Sequence, residues 1–261
     1  MTPDIQEREI LLLALQAGQI LLENGAEIFR VEETVYRICR HYGLHTASVF
    51  VLSNGIFLTS GDEKEPEFAK VLFIPVNHAN LSRVAEVNQL SRQIEAGAYT
   101  LSEARKELDR IQSMPELPYR FQILASGISA ACFCYMFKGA WQDSVCSFFI
   151  GILLYLYILY VGPHFSKMVR NILGSAWIML LSIFFFKMQL GLHLESMMIG
   201  GIIIMVPGVA FTNGIRDMAD EDYIAGSVRM LDAILVFFCI ALGAGFTLAV
   251  YQELTGGMLL W

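Results

Sequence analysis

The sequence predicts a membrane α-helical protein in which a small cytoplasmic α+β domain precedes about five transmembrane helices. Three observations carry this reading. Residues 119–261 contain five long apolar runs, where the core of a globular domain would account for one. Of the 43 Asp, Glu, Lys and Arg residues, 28 lie in residues 1–118 and 15 in residues 119–261, so the polar character sits in the first segment. That first segment also switches between helical and strand periodicity, as a packed water-soluble domain does. Over the whole chain 55% of residues are hydrophobic and 16% charged, against roughly 25% charged in a typical soluble domain.

The first domain, residues 1–118, is read element by element. Ile5, Leu12, Leu15, Ile20 and Leu22 among polar neighbours predict an amphipathic helix over 5–24, ending near Asn24-Gly25. A second helix spans Glu27–His41, with Ile28, Val31, Val35 and Ile38 on one face and Gly43 closing it. Within it, Arg30 and Glu33 are spaced for an i, i+3 ion pair worth a few tenths of a kcal/mol. Ser48–Thr59 and Val71–Val76 are rich in β-branched and aromatic residues and predict strands, with Gly61-Asp62 as the turn between them. Asn80–Glu95 predicts a helix. Thr100, with Glu103 three residues on, forms a capping box that opens another. Pro115 and Pro118 mark the junction with the second domain, residues 119–261.

A bilayer core of roughly 30 Å needs about 20 apolar residues per helix, and backbone groups in hydrocarbon must bond internally, so the apolar runs should be helices. The expected spans are about 119–137, 144–163, 171–187, 195–213 and 229–252. With the first domain inside, the inner flanks hold Arg110, Arg120, Lys167, Arg170, Arg216 and Arg229, and the outer loops only Lys138 and Lys187. That asymmetry follows the positive-inside rule and puts Trp261 outside. The chain is thus expected to be a multi-pass protein of the inner (plasma) membrane, with the lipid bilayer as its solvent.

Several functions are disfavoured. The net charge is -7 and no basic patch is interleaved with aromatics, so no nucleic acid is expected as a partner. Cys39, Cys132, Cys134, Cys146 and Cys239 show no zinc-type spacing or disulfide framework. Cys132 and Cys134, two apart, point to different helix faces. His41 and His45 have the spacing of helical metal ligands, but Gly43 between them should end the helix, so no metal site is expected. Met1–Gln6 lacks the cationic start of a signal peptide. Neither a nucleophile elbow nor a phosphate-cradling loop is present, and the spans hold no paired Asp residues or His-Glu cluster. No enzyme, catalytic residue or cofactor is expected.

Ile202–Asp217 is the stretch where membrane chemistry could sit. Pro207 has no N–H and would deprive the Ile203 carbonyl of its helical partner. Gly208 loosens the same point, Gly200-Gly201 permit close helix contact, and Thr212 and Asn213 follow one to two turns on. A helix broken near mid-membrane exposes backbone dipoles to a substrate, whereas a plain packing kink needs no ligand; the residues alone leave both open. Ser126, Gly127 and Ser129 give the first span a small polar stripe, best explained by close packing. Asp232, three residues after Arg229, is read as its interfacial ion-pair partner, and Asp220-Glu221-Asp222 as a solvated loop.

Asn24-Gly25-Ala26-Glu27 followed by Arg30-Val31-Glu32-Glu33-Thr34, then Val87-Asn88 with Leu101-Ser102-Glu103-Ala104, then Val206-Pro207-Gly208 through Asn213-Gly214-Ile215-Arg216-Asp217, occur in that order along the chain. In these motifs the chain resembles the threonine/serine exporter family, specifically the N-terminal half-type subunit of its split members. The resemblance implies an inner-membrane secondary exporter of small hydrophilic metabolites, threonine/serine-type amino acids or dicarboxylates such as succinate, driven by the proton gradient. It also implies a hetero-oligomer in which a small second membrane protein supplies the other half. An odd number of spans agrees, because a second five-helix half continuing from the far side would form an inverted repeat. The candidate substrate-binding residues are Pro207, Gly208, Thr212, Asn213, Arg216, Asp217, Ser126 and Ser129. Arg216 and Arg229 would suit a dicarboxylate; Asp217 and the unwound backbone would suit a zwitterion. The alternative is a membrane-anchored regulatory or scaffolding protein with a cytoplasmic sensing domain.

Overall fold

The run LLLALQAGQILL makes most of the first helix apolar, and that decides the architecture of the N-terminal part. In the computed structural model, which describes residues 3–62, 65–74 and 79–255, this run lies in α1 (Pro3–Glu23). Ile10, Leu11, Leu13, Ala14, Leu15, Ala17, Ile20, Leu21 and Leu22 are all buried, so α1 is the central helix of this core, and its amphipathic character survives as a narrow, partly exposed stripe of Leu12, Gln16, Gln19 and Glu23. The rest of the core comes from α2 (Ile28–His41), α3 (Leu81–Glu95) and α4 (Leu101–Gln112), together with one face of a sheet. The capping box of Thr100 and Glu103 opens α4 as expected.

The chain divides into two compact units, Met1–Pro115 with Gly208–Leu231, and Glu116–Pro207 with Asp232–Trp261. In the first unit the sheet is a three-stranded antiparallel meander of β1 (Ser48–Leu52), β2 (Gly55–Asp62) and β3 (Glu65–Phe73). The single strand expected over Ser48–Thr59 is therefore a hairpin. Leu52 pairs with Gly55 across a two-residue connection, Ser53-Asn54. Gly61 and Asp62 lie inside β2, not in a turn, and Pro75 and Val76 of the expected last strand fall outside the described residues.

Val49, Val51, Ile56 and Leu58 face the core, and Phe50, Phe57, Val71 and Phe73 face away. β1 is an edge strand, and α2 covers its open hydrogen-bonding side with two side chains one turn apart. The Val49 N–H donates to the Tyr36 hydroxyl at 3.3 Å, and the Val51 N–H donates to Glu32 Oε1 at 3.1 Å. An exposed row of unpaired backbone groups would invite edge-to-edge association, so this cover has a protective value.

The second unit contains α5 (Tyr119–Met136), α6 (Trp141–Tyr160), α7 (Lys167–Lys187), α8 (Leu194–Ile202) and the greater part of α10 (Tyr223–Leu254). Glycines set its helix crossings. A Cβ on Gly151 would lie 2.6 Å from the Ser126 carbonyl, and one on Gly200 2.6 Å from the Ala130 carbonyl, so α5 touches α6 and α8 backbone to backbone. α6 begins three residues earlier than expected because Asp143 is buried as its capping residue, accepting from the N–H groups of Ala140 (2.7 Å) and His193 (3.0 Å).

Five spans were expected. Among the described residues α6, α7 and α10 are long and apolar enough to cross a membrane, and Leu194–Met205 with Gly208–Ala219 make a fourth if that broken pair is one span. α5 has the 18 residues of a short span, but with Arg120 and Gln122 in its first turn its composition is not apolar enough to join them.

Burial pushes the Glu32 carboxyl above its usual range; the Val51 bond opposes this and the Asp222 charge adds to it. The folded domain therefore holds a proton that the unfolded chain has already released, and stability falls as pH rises through that window. Denaturant melts of Glu32→Gln, which keeps an acceptor for Val51, should show a flatter decline between acid and neutral pH than wild type. Parallel curves would refute the assignment.

Candidate functional site

Within the first unit, two stretches distant in sequence meet: the α1–α2 loop Asn24–Glu27, and a hairpin made by α9 (Gly208–Ala219) and the opening turns of α10. The loop geometry begins with Gly25. The Gly25 N–H donates to Leu22 O and the Ala26 N–H to Leu21 O, closing α1 in a Schellman turn with Gly25 at φ 82°. A side chain there is strained, and its Cβ would also sit 3.0 Å from that of Ala79. Helix α2 then starts at Glu27, which makes no side-chain cap, so its first N–H groups need a partner from elsewhere.

The hairpin supplies that partner. Gly214 and Gly226 let the two helices close: a Cβ on Gly226 would fall 2.9 Å from the Gly214 carbonyl. This closure sets Asp217 of α9 against Arg229 of α10, with Arg229 Nη1 2.7 Å from Asp217 Oδ2. The other carboxylate oxygen accepts the Ile28 N–H at 3.2 Å, so Asp217 caps α2 at its positive end. Arg229 Nη2 donates to the Ala26 carbonyl at 3.0 Å, and Asn213 Nδ2 to the Gly25 carbonyl at 2.8 Å. Arg216 pairs with Glu27, which also holds Arg30 at 3.0 Å. Asp217 is 1% exposed and the Arg229 side chain 10%. The connecting turn returns the Asp222 N–H to the Asp217 carbonyl at 2.8 Å; burial, helped by the Asp220 charge, raises the Asp222 carboxyl.

Of the sequence-predicted residues, Asn213, Arg216 and Asp217 are brought together on the α1–α2 loop. Thr212 is exposed and its hydroxyl returns to the Gly208 carbonyl at 2.8 Å. Pro207, Ser126 and Ser129 belong to the second unit, where the Ser126 hydroxyl donates to the Gly151 carbonyl at 2.9 Å and thus serves a helix crossing. Two expected ion pairs are re-partnered. Arg30 reaches back to Glu27, leaving Glu33 to Arg37 at 2.5 Å, and Asp232 pairs with Lys167 at 2.5 Å, leaving Arg229 to Asp217. Sequence spacing finds only neighbours on one helix, whereas here the burial of Asp217 selects the partner. Glu27 and the carbonyls of Gly25 and Ala26 were missed as site members. Their signal was a helix start at Glu where Ser, Thr, Asp or Asn would be usual.

At the break itself, residues Ile203–Met205 tighten into a 3₁₀ turn. The Ile203 carbonyl, expected to lose its partner to Pro207, accepts the Val206 N–H at 3.3 Å instead. A Cβ on Gly208 would meet no atom within 4 Å, so the start of α9 is open. Among the described residues no three His, Cys, Asp or Glu side chains gather as they would around a metal ion.

Comparison with known proteins agrees with these motifs. The family model described as "Putative threonine/serine exporter" matches residues 12–251. The chain is 24% identical over 251 residues to a protein of Escherichia coli named "Probable succinate transporter subunit YjjP", covering 94% of this chain and 96% of that one. It is also 24% identical over 254 residues to the "Threonine/serine exporter" of Corynebacterium glutamicum, where it spans only 52% of the longer protein. No solved structure matches.

Removing one member of a buried pair strands the other, at a cost of about 3–5 kcal/mol. Asp217→Asn and Arg229→Gln should each lower the melting temperature of the purified protein, and the double variant should lose less than the sum. Additive losses would show that the two side chains act separately.

Proposed function

The chain belongs to the threonine/serine exporter family, and from that membership we propose that it is a subunit of a secondary exporter of small hydrophilic metabolites, either threonine/serine-type amino acids or dicarboxylates, driven by the proton gradient. The observation that carries the mechanism is the break at Val206-Pro207. An α-helix opens with N–H groups that have no partner in its own ladder, and its positive end attracts a carboxylate. α9 opens at Gly208, beside open space, and both candidate substrate classes carry a carboxylate. In this reading Pro207 and Gly208 present the backbone, with Thr212 one turn on. Asn213, Arg216 and Asp217 hold α9 against the α1–α2 loop and so link the site to the N-terminal domain. Ser126 and Ser129 serve packing.

The same reading counts α5 as a fifth span, places the N-terminal domain in the cytoplasm and puts the C-terminus outside the inner membrane. Two facts support a partner membrane protein: a relative matched over nearly its whole length is named a subunit, and the Corynebacterium exporter is about twice as long as the matched segment. A purely regulatory anchor fits less well, since an anchor has no use for a break within its apolar segment.

Proteoliposomes loaded with serine, threonine or succinate give the test. Counterflow should require co-reconstitution with the partner, and Pro207→Ala should slow it about ten-fold, equivalent to about 1.4 kcal/mol in the barrier, without loss from the membrane. Full exchange by the chain alone would overturn the two-component reading. Unchanged transport in Pro207→Ala would remove the break from the mechanism.

A further inference from the structure

A cleft of about 570 Å³ runs along the outer stripe of α2, lined by Phe29, Glu32, Tyr36, Arg37, Arg40 and Glu95 among others. Its charges are arranged unevenly. Arg37 is saturated: it lies 2.5 Å from Glu33, 3.2 Å from Glu95 and 3.3 Å from the Ser91 hydroxyl. Arg40 is different. Its guanidinium lies over the Tyr36 ring, 5.8 Å from the centroid, and among the described residues no carboxylate reaches it. Glu32 has one oxygen on the Val51 N–H and no cation paired with it among the described residues.

Glu32, Tyr36 and Arg40 thus stand at successive turns of one helix face as acid, ring and base. Positions eight residues apart lie about 12 Å apart along a helix, which the Glu and Arg side chains can close to the span of a small ligand. The Tyr36 hydroxyl, tied to Val49 on β1, fixes the ring between them.

We propose that this cleft binds a small zwitterionic α-amino acid, its carboxylate on Arg40 and its ammonium on Glu32 against the Tyr36 face. A guanidinium offers a carboxylate two parallel donors, and an aromatic face attracts an ammonium group. A dicarboxylate is disfavoured: Arg40 would take one end, but the other would meet Glu32, Glu33 and Glu95, and Arg37, which pairs with the last two, is already shared between them. The half-buried Glu32 carboxylate, held in its charged form at a cost by burial, gains most from an incoming ammonium. The cleft lies on the helix whose first turn Asp217 caps, and Asp222 of the α9–α10 turn acts on Glu32, so occupancy is placed to report on the hairpin that follows the break. The inference rests on the exporter reading for the ligand's physiological meaning, not for its chemistry.

The experiment is calorimetric titration of the purified full chain in detergent with L-serine, L-threonine, succinate and N-acetyl-serine amide, which lacks both charges. Saturable binding of the two amino acids is expected, with succinate and the blocked analogue silent. Arg40→Gln and Glu32→Gln should each weaken binding at least ten-fold, while circular dichroism shows both folded. Equal serine affinity in wild type and both variants would overturn the proposal, as would absence of binding or a preference for succinate. Counterflow that persists in Arg40→Gln while its serine binding is lost separates this site from the transport path. Binding that survives both variants refutes the cleft and leaves the exporter reading standing.

Discussion

Asp217 answers two needs at once, and the arrangement of the first unit depends on both being met. Helix α2 begins without a cap of its own, and Arg229 is drawn out of water beside α9. One carboxylate serves as the missing cap for the first and the counter-charge for the second. Neither role is separable from the other. Without the carboxylate the α2 start keeps unpaired N–H groups, and the guanidinium is left buried with only the Ala26 carbonyl. A buried ion pair is weak evidence for stability on its own, because an apolar replacement of the same shape often does as well. Here the replacement would not do as well, since no apolar side chain can cap a helix. The pair therefore fixes which segment lies against the α1–α2 loop, and in what register.

The surrounding contacts share that logic. Asn213 and Arg229 donate to successive carbonyls, Gly25 and Ala26, that are turned outward only because Gly25 adopts a left-handed conformation. Gly214 and Gly226 bring the hairpin close enough for Asp217 and Arg229 to meet. Three glycines and three polar side chains thus form one device, in which backbone shape creates the acceptors and side chains read them. α9, the helix so held, is also the one that starts at the Pro207 break, so the device constrains the element on which the proposed chemistry falls.

Much of this was legible in the sequence, and the failures have physical causes. Helices α2, α3 and α4 start within a residue of their expected positions because hydrophobic period and caps act locally, whereas the run expected over 195–213 is divided between α8 and α9. One strand is expected over Ser48–Thr59 where two form, because the turn at Ser53-Asn54 interrupts a nearly continuous β-branched and aromatic run. The buried face of α1 is wider than Ile5, Leu12, Leu15, Ile20 and Leu22 suggest, because the core surrounds the helix on all sides but the stripe of Leu12, Gln16, Gln19 and Glu23. The motif around Asn24–Glu27 and the motif ending at Asp217 were both visible, but nothing in a linear spacing says that residues 189 positions apart share a hydrogen bond. The ion pairs show the same limit. Arg30–Glu33 and Arg229–Asp232 have ideal helical spacing, yet exposed pairs of that kind gain so little that any better-placed partner takes over.

The break and the device also explain why the motif after Pro207 is so polar for an apolar segment. Thr212, Asn213, Arg216 and Asp217 would be costly in lipid if unpaired. Three of the four spend their polar groups on the α1–α2 loop, and Thr212 returns its hydroxyl to the Gly208 carbonyl. The polar demand of the motif is thus met within the protein. A segment meant only to anchor would have no reason to carry these groups. In the proposed reading α9 presents its start to a carboxylate, which needs the helix held from its far end, and Asp217 on Arg229 and Ile28 holds it there.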